Sequence, residues 1–149
     1  MSDLKQLGSL AKEASRVLAT MGTNEKNHAL TMVADGLEAD AAEILAENEK
    51  DMQAGKEAEM HQGLLDRLLL TKDRIAQMAE GLIQIAGLED PIGEVLSMKK
   101  RPNGLLIGQK RVPLGVVGII YESRPNVTAD AFGLCFKTGN VVVLKGGSD

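Results

Sequence analysis

Two short polar segments in the C-terminal part of the chain could bind an anion, and each follows an apolar run. They are Tyr121-Glu122-Ser123-Arg124-Pro125-Asn126 and Lys145-Gly146-Gly147-Ser148-Asp149. Arg124 and Lys145 supply cations, and the two glycines let the backbone approach a ligand closely. A helix that begins at Pro125 would direct free backbone N–H groups and the positive end of its dipole to the same place. This combination is typical of a phosphate or carboxylate site.

The same residues also have a purely structural interpretation. Ser123 or Arg124 can begin the helix and Asn126 can cap it, while Gly146-Gly147 can simply turn the chain. The G-x-G-x-x-G pattern of dinucleotide sites does not occur in the sequence. Both interpretations therefore stay open on the residues alone.

The single cysteine and the two histidines do not form a catalytic pattern. Cys135 lies between Leu134 and Phe136, whereas His28 and His61 lie in the other half of the chain. A nucleophilic cysteine needs an electropositive, accessible place and usually a base. We therefore interpret Cys135 as a small buried hydrophobic residue and the histidines as surface or packing residues, with no metal site.

The elements that would position the polar segments form a strand–helix–strand unit. Residues 114–120 are an apolar run with little alternation, which is typical of a strand covered on both faces. A helix follows from Pro125 to Gly139-Asn140, and Val141–Leu144 form a second buried strand. We expect one right-handed parallel crossover, whose strands end side by side at the two polar segments.

A β-hairpin is predicted before this unit. Glu94–Arg101 and Leu105–Val112 are extended runs joined by Pro102-Asn103-Gly104. An Asn-Gly pair between two such runs is a strong hairpin signal.

The first 90 residues have the periodicity of helices. The first helix ends at Gly22, and Thr23 is predicted to cap a second helix that runs to about Met52 with a kink near Gly36. Residues 52–63 are predicted to be a connection. The apolar stripe of the first helix is formed by Leu4, Leu7, Ala11, Ala14, Leu18 and Met21.

A short apolar helix over Leu64–Leu70 and a third long helix complete this half. Thr71 is predicted to cap the long helix, with Asp73 favourably placed in its first turn. Its apolar side chains recur at helical spacing. They are Ile75, Met78, Ala79, Leu82, Ile83 and Ala86.

Composition and charge exclude several classes of protein. The 149 residues carry 17 Lys and Arg against 21 Asp and Glu, a net charge of −4, which argues against nucleic-acid binding by phosphate neutralisation. Residues 1–90 hold 9 basic and 17 acidic residues, and residues 91–149 hold 8 and 4, so an anionic ligand is expected in the second part. No apolar run is long enough for a membrane span, and no secretory signal is present. One cysteine forms no internal disulfide, which indicates a reducing, cytoplasmic setting.

Two parallel strands with one crossover helix leave apolar edges open. The N-terminal helices could cover one face but add no strands. We therefore expect the chain to be an incomplete piece of a larger α/β protein, or to fold only with help.

The stretch RVPLGVVGIIYESRPNVTADAFGLCFKTGNVVVLKGGSD resembles the signature region of the glutamyl phosphate reductase family, within the aldehyde dehydrogenase superfamily. ENEKDMQAGKEAEM, LLDRLLLTKDRIAQMAEGLIQIAGLEDPIGEV and RPNGLLIGQKRVPLG resemble upstream parts of the same family. The resemblance covers the N-terminal third of such proteins. It implies an α/β fold that begins a parallel, Rossmann-like coenzyme-binding sheet. It divides the chain into helices (1–90), a hairpin (91–113) and a β-α-β unit (114–149), with the catalytic domain outside this chain.

The resemblance also implies an activity and roles for particular residues. The reaction is the NADPH-dependent reduction of L-glutamate 5-phosphate to the 5-semialdehyde and phosphate, a step in proline biosynthesis, through a cysteine downstream of this stretch. Lys145 matches a lysine that reaches the adenosine ribose or its phosphate, and Ser148 stands where the 2′-phosphate is discriminated. Asn126 and Ser123 are alternative matches to an oxyanion-binding residue. Tyr121, Glu122, Arg124 and Gly147 complete the expected coenzyme-binding set.

The resemblance implies a homo-oligomer, with glutamate 5-kinase as a further partner. The alternative function is an inactive module that binds a nucleotide, another anion or a partner.

Overall fold

The computed structural model describes residues 2–122 and 124–147. Five helices come first, and a hairpin and a strand–helix–strand unit follow. In chain order the elements are α1 (Ser2–Leu18), α2 (Thr23–Ala39), α3 (Ala41–Glu57), α4 (Gln62–Leu68), α5 (Lys72–Gly87), β1 (Val95–Lys100), β2 (Leu106–Lys110), β3 (Val116–Ile120), α6 (Pro125–Lys137) and β4 (Val141–Lys145). No helix within these described ranges is both long and apolar enough to cross a membrane.

The packing of α5 against α2 and α6 forms the main hydrophobic core. Leu30 of α2 and Leu82 of α5 are almost completely buried in it, and Phe132 and Phe136 of α6 pack against its edge. Thr71 caps α5 as predicted, since its side chain accepts a hydrogen bond of 3.1 Å from the Arg74 amide.

The prediction that Ile83 belongs to the buried apolar stripe of α5 is wrong. Ile83 is 44% exposed, and Ile85 is buried instead. Helix α5 packs against both α2 and α6, and Ile85 lies in the core cluster that these three helices share.

The predicted second helix is two helices. Its first part ends at Asp40, whose amide donates to the Gly36 carbonyl at 2.9 Å, and α3 begins at the next residue. The apolar period continues across the break because Leu37, Ile44 and Leu45 all pack against one buried cluster. Helix α3 then runs to Glu57, so most of the predicted 52–63 connection is helical.

Asn48 fixes the link between α4 and α5. Its side chain is buried, its amide group donates to the Leu68 carbonyl at 2.9 Å, and its oxygen accepts from the Leu70 amide at 2.7 Å. Both polar ends of the side chain are thus satisfied by the backbone of the short link.

Thr23 does not cap α2, because Gly22 occupies the N-cap position. The Thr23 hydroxyl instead donates to the Asp90 carboxylate at 2.9 Å, and Asp90 also accepts from the Ile92 amide at 3.0 Å. The buried ammonium of Lys26 forms an ion pair with the same carboxylate. Asp90 therefore ties the start of α2 to the segment that leaves α5.

A second buried lysine belongs to this Asp90 network. Lys137 donates from its ammonium to the Ala86 carbonyl at 2.8 Å and to Asn27 at 2.6 Å. Lys26 donates to the Lys137 carbonyl at 3.0 Å. Each lysine thus satisfies a carbonyl at the C-terminal end of a helix, α5 or α6, where a positive charge is favourable.

The hairpin and the parallel strand pair are confirmed. Strands β1 and β2 pair antiparallel, and the turn amide of Gly104, at a φ of +89°, donates to the Arg101 carbonyl at 2.9 Å. Strands β3 and β4 pair parallel in the register Val116 with Val141.

The prediction that β3 is covered on both faces is wrong for this structure. Val117 and Ile119 are half-buried, but Val116 is 41% exposed and Ile120 is 84% exposed. Helices α1 and α6 pack mainly against β4, and β3 therefore keeps one face exposed.

Gly133 allows α5 and α6 to approach closely, and replacing it by valine is expected to destabilise the protein. A Cβ atom there would lie 2.7 Å from Leu82 Cδ2 and 2.9 Å from Ile85 Cδ1. Gly36 is the matched control, a helical glycine with no atom within 4 Å of its added Cβ. Gly133→Val should lower the free energy of unfolding by about 1–3 kcal/mol more than Gly36→Val does. Urea unfolding measures this difference, and equal midpoints for the two variants would contradict the close approach.

Candidate functional site

The carboxyl ends of β3 and β4 lie side by side, as expected from the sequence. Ile120 is in register with Lys145, and the next residue along, Tyr121, donates its amide to the Lys145 carbonyl at 3.1 Å. The Tyr121 hydroxyl lies 2.5 Å from Thr128 Oγ1, which links the segment after β3 to the first turns of α6. The two polar segments thus start from one rigid edge of the sheet.

Helix α6 begins at Pro125, and among the described residues no side chain caps its N-terminus. Arg124 occupies the N-cap position without a side-chain cap hydrogen bond, and its carbonyl accepts from the Val127 amide at 3.0 Å. Asn126 does not cap the helix either, since its amide group donates to the Asp130 carboxylate at 3.5 Å. The alternative that Asn126 caps the helix is therefore wrong, because Arg124 is the N-cap residue, and the exposed side chain of Asn126 lies on the first turn.

Lys145 offers a cation at the end of β4. The residue is exposed, and its ammonium donates to the carbonyl of the adjacent Gly146. Apart from its two chain neighbours, no described residue has an atom within 4 Å of a Cβ added at Gly146, so the backbone that follows Lys145 is open on that side. Gly147 is also exposed. These features fit the approach of a phosphate or a ribose to the strand end.

Arg124 and Asn126 line a second space, a cleft between the α4–α5 region and the first turns of α6, which we call the α4–α6 cleft. Its volume is about 430 Å³. Its polar lining side chains are Asp66, Arg67, Arg74, Gln77, Arg124, Asn126 and Asp130. The structure thus places Arg124 in a cleft with residues of α4 and α5, while Lys145 lies at the strand edge.

Arg67, Arg74 and Asp130 are cleft residues that the sequence did not single out. Arg67 and Arg74 flank the Thr71 cap in a segment that the sequence predicts only as helix, linker and helix. Their position beside α6 depends on how α4 and α5 pack against that helix. No spacing rule within the sequence reports such packing.

The remaining predicted residues are either exposed or outside the described part of the chain. Glu122 is exposed beside Tyr121. Ser123, one of the two oxyanion candidates, and Ser148, the predicted 2′-phosphate discriminator, lie outside the described residues.

Cys135 has the properties of a packing residue. It is half-buried, and burial raises the pKa of its thiol, which disfavours the nucleophilic thiolate. His28 and His61 are both exposed, and His61 Nδ1 accepts from the Gly63 amide at 3.1 Å at the start of α4. The interpretation of these three residues as non-catalytic is consistent with this geometry.

The chain is similar along its whole length to curated bacterial proteins, although no family model matches it. It is 62% identical over 149 residues to a gamma-glutamyl phosphate reductase of Lachnospira eligens, covering all of this chain and 36% of the relative. It is 58% identical over 147 residues to the protein of that name from Moorella thermoacetica, covering 99% of this chain and 35% of the relative. The chain therefore spans about a third of the length of the curated relatives it matches.

Two crystal structures have the same fold over nearly all of this chain. The gamma-glutamyl phosphate reductase of Thermotoga maritima matches with a TM-score of 0.89 and 43% identity, covering 93% of this chain and 33% of that chain. The corresponding protein of Saccharomyces cerevisiae matches with a TM-score of 0.90 and 35% identity, covering 96% and 36%. The expected α/β fold is thereby confirmed.

Proposed function

We propose that this chain, which belongs to the gamma-glutamyl phosphate reductase family and matches its N-terminal third, carries the start of the coenzyme-binding domain of such an enzyme. The reaction is the NADPH-dependent reduction of L-glutamate 5-phosphate to L-glutamate 5-semialdehyde and phosphate. The observation that carries the proposal is 62% identity over all 149 residues to a relative of that name.

The strand edge fits an NADP coenzyme. Lys145 is an exposed cation with open space beside the adjacent Gly146, so it can reach a ribose hydroxyl or the 2′-phosphate. Ser148, three residues further on, brings no negative charge that would repel that phosphate. Tyr121, Glu122 and Gly147 complete this edge. Arg124, which the resemblance also places in the coenzyme-binding set, lines the α4–α6 cleft. The coenzyme supplies the hydride when it is bound.

The residues of this chain bind and orient the coenzyme and the substrate, and they do not supply the nucleophile. Tyr121 and Thr128 hold the segment after β3 against α6, which keeps the strand edge and the α4–α6 cleft in a fixed relation. Asn126 lines that cleft with a side-chain amide that can donate to a developing oxyanion, with Ser123 as the alternative donor. The raised pKa of Cys135 makes it unsuitable as the nucleophile, which the family resemblance places downstream of the matched third.

The domain and the partners follow from the same resemblance, and the cytoplasmic setting follows from the single cysteine. Residues 1–149 form the N-terminal part of an NADP-binding domain, made of helices (1–90), a hairpin (91–113) and a β-α-β unit (114–149). The enzyme is cytoplasmic and homo-oligomeric. Glutamate 5-kinase, which makes the acyl phosphate, is its further partner.

A domain exchange tests the proposed function. A full-length reductase is made in which this chain replaces the matching third of the Moorella thermoacetica relative, 58% identical to it. We expect phosphate-dependent NADP reduction with glutamate 5-semialdehyde at a rate within tenfold of the parent enzyme. Cys135→Ser should keep kcat within twofold, and the 149-residue chain alone should show no turnover.

Two results would contradict the proposal. One is a folded, coenzyme-binding hybrid that has no reductase activity, which favours the inactive binding module. The other is turnover by the 149-residue chain alone, which would place the whole catalytic machinery within it.

A further inference from the structure

We propose that the α4–α6 cleft binds the α-amino-acid end of the substrate. Arg67 and Arg124 bind its α-carboxylate, and Asp130 binds its α-ammonium group. This inference rests on the proposed function, because that function supplies a substrate with an amino-acid end and a separate reacting end.

The size and position of the cleft suit a small substrate. Its volume of about 430 Å³ lies in the range of small-molecule sites. Asn126, the oxyanion candidate, lines the same space as Arg67 and Asp130. One cavity therefore extends from the proposed amino-acid groups to the residue expected at the reacting carbonyl.

The third arginine of the cleft, Arg74, already forms hydrogen bonds and an ion pair with other residues of the chain. Arg74 donates to the Leu69 carbonyl at 2.6 Å and to the Asp66 backbone carbonyl, and it forms an ion pair with the Asp66 carboxylate at 3.4 Å. Arg74 and Asp66 thus neutralise one another and fix the end of α4. This pair forms a wall of the cleft and brings no net charge to it.

Three charged groups remain available. Arg67 and Arg124 are exposed, and neither guanidinium has a hydrogen-bond or ion-pair partner within residues 2–122 and 124–147. Asp130 is also exposed, and within the same ranges its carboxylate accepts only the 3.5 Å hydrogen bond from Asn126.

The combination of positively and negatively charged side chains in the cleft determines which kind of ligand fits it. A guanidinium presents a planar fork of donors that matches a carboxylate, and a carboxylate binds an ammonium group. A phosphoryl group would meet the two arginines but would be repelled by Asp130. Two cations and one anion in one cleft are complementary to a zwitterionic α-amino acid rather than to a phosphate alone.

Kinetics of the full-length reductase defined above test the carboxylate contact, with glutamate 5-semialdehyde, phosphate and NADP as substrates. Arg67→Gln and Arg124→Gln should each raise the KM for the semialdehyde at least tenfold. The Kd for NADPH, measured by fluorescence titration, should stay within twofold for Arg67→Gln. This control is not applied to Arg124→Gln, because Arg124 also belongs to the expected coenzyme-binding set. Arg67→Lys, which keeps the charge and removes the fork, should have an intermediate KM. Arg16→Gln, at an exposed arginine of α1, is the matched control and should change neither constant.

A substrate analogue tests the ammonium contact. Glutaric semialdehyde lacks only the α-amino group, and the unmodified enzyme should prefer glutamate 5-semialdehyde to it at least tenfold in kcat/KM. Asp130→Asn should reduce this preference to less than threefold, whereas Asp35→Asn, on the exposed surface of α2, should leave it intact.

The outcomes separate this proposal from the proposed function. An active enzyme whose arginine variants keep the parental KM, or whose Asp130→Asn variant keeps the parental preference, overturns the cleft assignment. If the unmodified hybrid is inactive, the proposed function fails, and calorimetric titration with L-glutamate decides the cleft separately. Binding that Arg67→Gln and Asp130→Asn both weaken at least fivefold supports the assignment, and binding that neither variant weakens overturns it. Circular dichroism checks that each variant is folded.

Discussion

Replacing Asp90 by alanine is expected to lower the free energy of unfolding by about 3–5 kcal/mol, because it leaves buried cations without a counter-charge. Lys26 is 2% exposed and pairs directly with Asp90, and Lys137, also 2% exposed, belongs to the same network. A loss of this size is a large part of the 5–15 kcal/mol that holds a typical domain together. Chemical unfolding of the purified variant measures the effect.

Glu94→Ala is the control for the Asp90 substitution. Glu94 forms an ion pair with Arg111 at 2.8 Å, but both side chains are about half exposed, so its removal should cost about 0–1 kcal/mol. Adding Lys26→Met to Asp90→Ala should recover part of the loss, because it removes one uncompensated charge. An Asp90 variant as stable as the Glu94 variant would show that the buried network contributes little.

The contribution of Asp90 should also depend on pH. Burial alone would raise the pKa of this carboxyl, but hydrogen bonds from Lys26, the Ile92 amide and Thr23 together hold the pKa below its ordinary value of 3.8. The stabilisation is therefore complete above that value and is lost as the pH falls through the lower pKa of the folded state. Unfolding curves of the parent and of Asp90→Ala should converge only below about pH 4.

Replacing Lys145 by alanine in the full-length reductase should weaken NADPH binding by roughly ten- to a hundredfold. A hydrogen bond to a charged group is worth about 1.5–3 kcal/mol, and that range corresponds to this loss of affinity. The Lys145 side chain is exposed at the end of β4 and its stem can pack along the strand, so the fold should survive the substitution. Fluorescence titration gives the dissociation constant.

Lys110 provides the matched control, since it is an exposed lysine at the end of another strand, β2. Lys110→Ala should leave the NADPH dissociation constant within twofold. If Lys145→Ala lowers only the melting temperature and keeps the parental affinity for NADPH, Lys145 has only a structural role at the end of β4. The assignment of the strand edge to coenzyme binding is then wrong.

Elements with a local chemical cause could be predicted from the sequence. The hydroxyl of Thr71 caps the helix that follows it, Pro125 begins α6, and Asn103-Gly104 turns the hairpin. In each case the physical cause lies within about four residues of the feature, in a side-chain cap, a fixed φ or a positive φ. The sequence alone contains all the information that these elements need.

Elements decided by distant contacts could not be predicted. The apolar period passes through the break at Asp40, because α2 and α3 face one cluster formed with other helices. Thr23 has the chemistry of a cap, but its hydroxyl binds Asp90, which is 67 residues away in sequence. Ile83 fits the α5 stripe, yet the second partner of that helix selects Ile85 instead.

The same distinction applies to the candidate site. The strand edge at Tyr121 and Lys145 follows from a general rule for parallel sheets, so the sequence predicts the position of both residues. Arg67 and Asp130 come together only through the packing of the α4–α5 region beside α6. Their charges are ordinary for a solvated helix surface, and no local sequence pattern distinguishes them from other exposed charges.

Asn48 accepts the hydrogen bond of the Leu70 amide, and hydrogen exchange at this amide should therefore report the separation of whole helices. The Leu70 N–H lies outside any helix, and amides in such links normally exchange with solvent deuterium quickly. Here its acceptor is a buried oxygen of α3, and the residue itself is 8% exposed. Exchange at Leu70 therefore requires α3 to separate from the start of α5, so its rate should follow that of the core amides of α5 rather than that of its exposed neighbour Thr71.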